Sequence, residues 1–288
     1  MEKKLLLAMS MLLLLTGCGN LSHDSITPVS REDGSGTRGA FVELFGIEER
    51  DENGKKQDMT TDMAEITNST AVMLLTVTGN RNAIGYISMG SMHDAVKTLK
   101  IDGVEATFEN IKNGSYTIAR PFHIATKADV SPAAQDFIQF MLSDEGQKIV
   151  EESGYISQKS NGAYQPMGAK GNVVVAGSSS VAPVVEKMKE AYEAVNGDVT
   201  IEMQQSDSTI GMNALKEGLC DIGMASRELK ESELEAGLYP MVIALDGIAV
   251  IVNHENPLDG LDKAAVKAIY KGEIGEWSVI SMDKEGAE

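Results

Sequence analysis

Residues 173–195 read VVVAGSSSVAPVVEKMKEAYEAV: an apolar run, a loop of small residues, and a segment with helical periodicity. The run at 173–176 is typical of a buried strand, and residues 182–195 predict a helix with lysines and glutamates on its polar side. Apolar runs at 243–245 and 248–252 predict two more buried strands. Because such runs alternate with helical segments along the chain, the sequence favours an α/β fold with parallel strands.

Further helices are predicted at 131–143 and 144–153, the second with Asp144 as a candidate N-cap. Residues 157–171 (SQKSNGAYQPMGAKG) have no periodicity and are rich in Gly, Ser, Asn and Gln, which predicts a linker. The segments on its two sides do not resemble repeats of each other. We therefore interpret them as two pieces of one fold.

The first residues have the pattern of an export signal. Lys3 and Lys4 precede an apolar run at 5–15, which is too short to span a bilayer as a helix. The sequence LTGC at 15–18 resembles the bacterial lipobox, which predicts a signal peptide at 1–17, lipidation of Cys18 and a tether at 18–25. The alternative is an ordinary cleaved signal with an incidental cysteine. Either way the protein is expected outside the cytoplasm, and the lipobox anchors it to the cell membrane.

Composition restricts the partners. Cys18 and Cys220 are the two cysteines, so a lipidated Cys18 leaves no intramolecular disulfide and no thiolate metal cluster. The formal charge of −18, from 25 Lys+Arg and 43 Asp+Glu, argues against nucleic acid as a partner. A small anion would have to be captured by local dipoles and a few side chains, because the general field is negative. We expect a monomer without cofactors.

A glycine-rich stretch at 30–38, SREDGSGTR, predicts an oxyanion site. It combines a strand end, a Gly-Ser-Gly-Thr turn and a helix start. Arg31 can donate two parallel hydrogen bonds to one oxyanion, and Asp33 is the carboxylate expected to orient it. The alternative is a surface turn with an exposed ion pair. The spacing differs from that of a nucleotide-hydrolase phosphate loop.

Three other hydroxyl-rich turns follow predicted strands, at 177–180, 206–209 and 223–227. Each alone could be a simple helix N-cap, because serine, threonine and aspartate favour that position. Together they predict a binding site, since ligands of open α/β sheets bind at the carboxyl ends of strands. Unpaired N–H groups at helix N-termini favour negative charge there.

Catalysis has little support in the sequence. The four histidines, at 23, 93, 123 and 254, are far apart and match no metal-ligand motif. Ester hydrolysis would call for metals or an activated nucleophile, and neither is indicated. The prediction is a binding protein with no catalytic residues and no metal.

The segments VAGSSSVAPVVEKMKEAY, DIGMASREL, IALDGIAVIVNHENP, VSREDGSGTRGAFVEL, NSTAVM, NAIGYISMGS, RPFHIATK and FIQFMLSDEGQKIV resemble phosphate-binding proteins of the PstS type. The resemblance implies a two-lobed, type II-like periplasmic-binding-protein fold with the ligand between the lobes. It implies capture of inorganic phosphate and delivery to the membrane subunits of an ABC importer. Binding of another tetrahedral oxyanion such as sulfate, and phosphate-ester hydrolysis, are the alternatives.

The order of these segments departs from the usual one, in which the SSS loop comes first and the SGT loop follows. Here the chain begins before the SGT loop, crosses the linker at 157–171, and then reaches the segment that usually comes first. We interpret this as circular permutation, with a fused or fragmented gene as the alternative. The implied lobes are 26–115 with 246–288, and 116–245. A hinge is expected near residues 120–122 and 245–247.

The family's contacts transfer to this chain by motif. Ser226 stands where some members have a carboxylate that accepts the proton of hydrogen phosphate, so Asp207 is the first candidate acceptor here and Asp33 the second. A helix N-cap is the alternative role of Asp207. The expected ligand contacts are Arg31, Ser35, Gly36, Thr37, Ser179, Ser180, Ser208 and Thr209.

Overall fold

The computed structural model describes residues 24–52 and 56–280, so the predicted signal peptide and the lipidation site at Cys18 lie outside the described residues. The strands are β1 Thr27–Arg31, β2 Glu48–Arg50, β3 Lys56–Asp58, β4 Glu65–Thr67, β5 Ala83–Ser88, β6 Lys97–Thr98, β7 Lys100–Ile101, β8 Ala119–Thr126, β9 Ile156–Ser157, β10 Gly171–Ser178, β11 Val199–Ser206, β12 Ile222–Ala225, β13 Tyr239–Val252 and β14 Gly260–Leu261. The α-helices are α1 Gly36–Leu44, α2 Thr70–Gly79, α3 Phe108–Lys112, α4 Pro132–Met141, α5 Asp144–Glu152, α6 Ala182–Val195, α7 Ser208–Glu217, α8 Glu231–Glu235 and α9 Lys263–Tyr270. Within the described ranges, no helix is both long and apolar enough to cross a membrane.

The longest helix, α6, has the bounds that the sequence predicts. Val184, Met188 and Tyr192 recur at intervals of four residues and are fully buried, so the apolar stripe of the helix faces the core. Pro183 lies in the first turn, where its missing N–H has no partner to lose. Local periodicity therefore determines this helix.

Helices α4 and α5 form within the predicted ranges, and each begins after a serine. Ser131 accepts a hydrogen bond from the Ala134 amide, and Ser143 accepts one from the Gly146 amide. The expectation that Asp144 caps α5 is wrong, because Ser143 occupies the N-cap and Asp144 is the first helical residue. A carboxylate in the first turn still interacts favourably with the helix dipole.

The two strands predicted at 243–245 and 248–252 are parts of one strand, β13. Asp246 and Gly247 remain extended and pair with Arg120 and Ala119 of β8. A charged residue interrupts the apolar pattern, but Asp246 is fully buried and is paired with Arg120. The ion pair therefore lets the strand continue through a position that looked like a break.

The main sheet has the order β11-β10-β12-β8-β13-β5-β1-β4. Strand β10 pairs in parallel with β11 and β12, and β1 pairs in parallel with β4 and β5. These two parallel groups are joined by the antiparallel pairing of β8 with β13. The fold is thus mixed α/β, with two strands crossing between two parallel parts.

The buried hydrophobic side chains form two separate cores, one on each parallel part of the sheet. One core, which we call core A, uses buried side chains from residues 26–118 and 248–280. The second, core B, uses side chains from residues 122–244, and a smaller cluster packs around Met212 and Leu215. Strand β13 passes from core B to core A between Ala244 and Ile248.

As the linker prediction expects, residues 158–170 form neither helix nor strand, but this segment is fastened to core B. Asp136 of α4 has no exposed surface, and its carboxylate accepts hydrogen bonds from two parts of the chain. Two come from the linker segment and two from α6 and the residue after it: Tyr164 Oη at 2.9 Å, Met167 N at 3.2 Å, Tyr192 Oη at 3.0 Å and Asn196 Nδ2 at 3.1 Å. The Asp136 carboxylate therefore links the segment at 158–170 to helices α4 and α6, an arrangement that we call the Asp136 clasp.

Replacing Asp136 with Ala should lower the free energy of unfolding by about 3 kcal/mol or more, because each buried donor left unpaired costs about 1–3 kcal/mol. Urea denaturation of the purified protein measures this. Glu190→Ala, on the exposed side of α6, is the control and should change stability by less than about 0.5 kcal/mol. Equal small effects of both substitutions would contradict the clasp.

Candidate functional site

The hydroxyl-rich loops predicted from the sequence meet in one place. The parallel register of β10, β11 and β12 brings the carboxyl ends of these strands to one edge of the sheet. The loop after β1, which belongs to core A, lies against them. The Thr37 and Ser180 hydroxyls are 2.8 Å apart, and the Thr209 amide donates to the Gly34 carbonyl at 3.2 Å. The site therefore lies between the two cores.

Arg31 is a buried cation of this site, and only 2% of it is exposed. Its guanidinium donates to both carboxylate oxygens of Glu32, at 2.8 and 2.7 Å. It also reaches the Ser179 hydroxyl of core B at 3.3 Å and the Thr70 hydroxyl at 3.4 Å. The bidentate pair with Glu32 fixes the plane of the guanidinium.

The expectation that Asp33 orients Arg31 is wrong. The Asp33 side chain is 95% exposed and forms its ion pair with Arg38 at 2.8 Å, whereas Glu32 holds Arg31. Side chains of adjacent residues point to opposite faces only within a strand, and β1 ends at Arg31. In the turn that follows, the Glu32 side chain lies against the Arg31 side chain, and the Asp33 side chain points into solvent.

Two glycines allow the loop after β1 to approach core B. A Cβ on Gly36 would lie 2.4 Å from the Ser208 hydroxyl oxygen and 2.7 Å from that of Ser226. A Cβ on Gly34 would lie 2.4 Å from the Asp207 carboxyl carbon. Real Cβ atoms essentially never come this close to another atom, so a larger residue at either position would displace the side chain that it meets.

Three buried serines form a hydrogen-bonded cluster on the core B side. Ser178 donates to the Ser226 hydroxyl at 3.0 Å, and the Ser226 amide donates to the Ser208 hydroxyl at 3.2 Å. Asp207 caps α7 by accepting from the Ile210 amide at 2.8 Å through Oδ1. Among the described residues we find no hydrogen-bond partner for its second oxygen, Oδ2. The N-cap role of Asp207 is therefore present and leaves one oxygen available.

Thr70 is a site residue that the sequence interpretation missed. Its hydroxyl is buried and lies 3.4 Å from both the Ser180 hydroxyl and an Arg31 nitrogen. Ser69, just before it, caps α2 by accepting from the Val72 amide. The signal was the Ser-Thr pair before a helical segment, the same turn chemistry as in the other loops.

The N-termini of several helices converge on these hydroxyls. α1 begins at Gly36, α2 at Thr70 and α7 at Ser208, and each of these residues contacts the site. Unpaired amides and the positive end of the helix dipole favour an anion at such positions. With the hydroxyls and Arg31, the arrangement can hold a small oxyanion from several sides.

Among the residues that the structure describes, no histidine is hydrogen-bonded to a serine of the cluster. His123 Nδ1 lies 3.1 Å from the Arg227 carbonyl oxygen, and Nε2 faces Glu228 at 3.5 Å, so the ring contacts no serine of the cluster. Burial lowers the pKa of His123, which favours the neutral ring. In residues 24–52 and 56–280, no three His, Cys, Asp or Glu side chains are placed to bind a metal ion.

The fold and the site define a solute-binding protein that encloses a small anion between two cores. A family model described as a PBP superfamily domain matches residues 19–145 and 162–287. "Phosphate-binding protein PstS 2" of Streptococcus agalactiae is 52% identical over 93% of both chains. Its Streptococcus pneumoniae namesake is 42% identical, over 92% of this chain and 94% of the relative.

A solved structure has the same architecture. The crystal structure of a phosphate ABC transporter, phosphate-binding protein from Streptococcus pneumoniae TIGR4 superimposes with a TM-score of 0.70 at 43% identity. The match covers 89% of this chain and 99% of the other. The chain therefore belongs to the PBP superfamily, within the family of phosphate-binding proteins PstS.

Substituting Gly36 with Ala should weaken anion binding by about 10- to 100-fold, since the new Cβ displaces the Ser208 hydroxyl and one hydrogen bond to a charged ligand is worth about 1.5–3 kcal/mol. Calorimetry with phosphate as the test anion measures the effect. Gly39→Ala is the matched control in the same helix, because its Cβ would meet nothing closer than 4.0 Å. If both variants bind like the parent, close approach at Gly36 is not required.

Proposed function

We propose that this chain is an extracytoplasmic lipoprotein that captures inorganic phosphate between its cores and delivers it to an ABC importer, without turnover. The observation that carries the proposal is the enclosed cluster in which Arg31 meets hydroxyls from both cores. Guanidinium, hydroxyl and amide donors together match a tetrahedral oxyanion, which accepts from all directions. The ligand contacts proposed are Arg31, Ser35, Gly36, Thr37, Ser179, Ser180, Ser208 and Thr209.

Asp207 supports phosphate over sulfate. Hydrogen phosphate carries a proton that it can donate, and sulfate has none at neutral pH. The Asp207 side chain is buried against Gly34, and Oδ2 is not used by the helix cap. We propose that Oδ2 of Asp207 accepts the phosphate proton. In some family members a carboxylate at the position of Ser226 has this role.

We propose that the site closes when two lobes of the chain move together about a hinge. We propose a lobe of 26–115 with 246–288 and a lobe of 116–245, with the hinge at 120–122 and 245–247. The separate hydrophobic cores and the crossing of β8 and β13 support this division. A ligand that touches both lobes favours the closed state by its differential affinity for that state.

We also propose that the order of the lobes is circularly permuted relative to the usual family order. The Ile26 amide donates to the Gly275 carbonyl at 2.8 Å, and the Trp277 amide donates to the Asp24 carbonyl at 2.9 Å. The two segments that a usual member would connect are thus adjacent, which is the condition for a tolerated permutation. The alignment with the Streptococcus agalactiae relative covers 93% of both chains, which supports an order shared by the two proteins.

The membrane partners follow from the family. The solved relative is described as a phosphate ABC transporter component, and the LTGC sequence supports anchoring through Cys18. We propose that the protein works as a monomer that docks on the membrane subunits of an importer. The proposal requires no cofactor.

Calorimetry should show one phosphate bound per chain and no release of phosphate from an ester such as p-nitrophenyl phosphate. Arg31→Ala should weaken binding by about 100-fold or more, because it removes up to two charge-assisted hydrogen bonds. Heat with sulfate but none with phosphate would preserve the binding role and reject the ligand. Ester hydrolysis that Arg31→Ala abolishes would reject both.

Replacing Asp207 with Asn should reduce the selectivity for phosphate over sulfate. The amide keeps the shape and the cap, but it can donate to sulfate, which a carboxylate repels. Sites built around one specific hydrogen bond reject analogues that lack it by about 10⁴-fold, so a large part of the selectivity should be lost. Competition binding with both anions measures the ratio, and Asp33→Asn, at an exposed carboxylate, is the control. An unchanged ratio in the Asp207 variant would leave it only the role of helix cap.

A further inference from the structure

A buried ion pair lies beneath the anion site and is not among its predicted contacts. Arg120 of β8 is 3% exposed, and its Nε and Nη2 donate to Asp246 Oδ2 at 3.3 and 3.2 Å. Asp246 of β13 has no exposed surface, and its other oxygen accepts from the Ser88 hydroxyl at 2.9 Å. The pair thus sits where β8 and β13 cross between the cores.

The third arm of Arg120 reaches the site. Its Nη1 donates to the carbonyl oxygen of Ser226 at 3.1 Å. The amide of the same residue donates to the Ser208 hydroxyl, and its own hydroxyl accepts from Ser178. Arg120 therefore fixes the residue around which the serine cluster of core B is arranged.

The network joins both cores. Ser88 belongs to β5, which packs in core A, whereas Ser226 follows β12 of core B. A continuous chain of hydrogen bonds runs from Ser88 through Asp246 and Arg120 to Ser226. A change in the angle between the cores would act on this chain.

The Arg120–Asp246 ion pair is a poor source of folding stability. Burial raises the pKa of Asp246 to about 6, although Arg120 opposes the shift. Burial also lowers the pKa of Arg120, and the nearby charge of Arg31 lowers it further. An acid with a raised pKa and a base with a lowered pKa both reduce folding stability at neutral pH, where both are charged. Apolar replacement of such pairs is often neutral or stabilising.

We propose that Arg120 is a positioning residue for the anion site: held in place by Asp246 and Ser88, it fixes the Ser226 peptide and through it the Ser208 hydroxyl. This inference rests on the proposed function. It accounts for a second arginine beside Arg31, since an anion bound between the cores relieves the repulsion between the two cations. Arg120 acts through Ser226 and need not touch the ligand.

The first test removes both charges together, so that neither is left unpaired. Arg120→Met combined with Asp246→Asn should keep the melting temperature of the ligand-free parent within a few degrees and weaken phosphate binding at least tenfold. The control pairs Arg81→Met with Glu255→Gln. Arg81 precedes the amino end of β5, whereas Arg31 lies at the carboxyl end of the parallel neighbouring strand β1. The ion pair of Arg81 with Glu255 is exposed. This control should bind phosphate like the parent.

The second test identifies the route. If Arg120 acts through Ser226 on Ser208, the double change should cost much less affinity in a Ser208→Ala background than in the parent. In a Ser35→Ala background its cost should be undiminished, because Ser35 lies on core A outside the network. Coupling of this kind is what a double-mutant cycle measures between residues in one network. Equal costs in both backgrounds would overturn the proposed route.

Arg120→Lys provides a second variant if the double change does not fold. Lysine retains the charge but cannot replace the planar fork that bridges Asp246 and Ser226. We expect binding at least fivefold weaker, with an unchanged circular dichroism spectrum. Parent-like affinity in the folded variants would overturn this inference alone. A parent that binds neither phosphate nor sulfate would overturn the proposed function and this inference with it.

Discussion

The structure depends on one electrostatic constraint: an anion must be enclosed in a chain whose formal charge is −18. Attraction at long range is absent, so the donors must be local, oriented and shielded from water. Arg31 supplies the charge, and the helix N-termini supply amides and hydroxyls. Neither core has enough of these donors alone, because Ser180 and Ser208 lie in one and Arg31 and Thr37 in the other. These donors come together only where the two cores meet.

Strands β8 and β13 connect the two cores. These strands carry the backbone pairing between the two parallel parts of the sheet, and at their centre the Arg120–Asp246 pair replaces the apolar contacts of a core. Directional hydrogen bonds of a buried pair define one geometry, whereas apolar packing tolerates several. Stability resides elsewhere, in the two hydrophobic cores and in the clasp at Asp136. The side chains that position the anion site are thus different from those that stabilise the fold.

The contacts of the site do not require a particular order of the two cores along the chain. Its loops meet because parallel strands end at one edge of the sheet and because glycine at 34 and 36 allows the cores to touch. Neither condition depends on which lobe comes first. The segment at 158–170 and the hydrogen bond between Ile26 and Gly275 mark the join and the cut of the proposed permutation. Both lie away from the ligand contacts.

The sequence by itself determined the strand-loop-helix units, the bounds of α6, the serine-rich turns and the presence of Arg31 in one of these turns, because periodicity, capping and turn chemistry are local. It did not determine which carboxylate holds Arg31: Glu32 does so because β1 ends there and side chains no longer alternate. It did not reveal Thr70, 39 residues from Arg31, or the pairing of Arg120 with Asp246, which are 126 residues apart. Only the tertiary structure decided these contacts, because burial brings distant polar groups together and no local pattern specifies their partners.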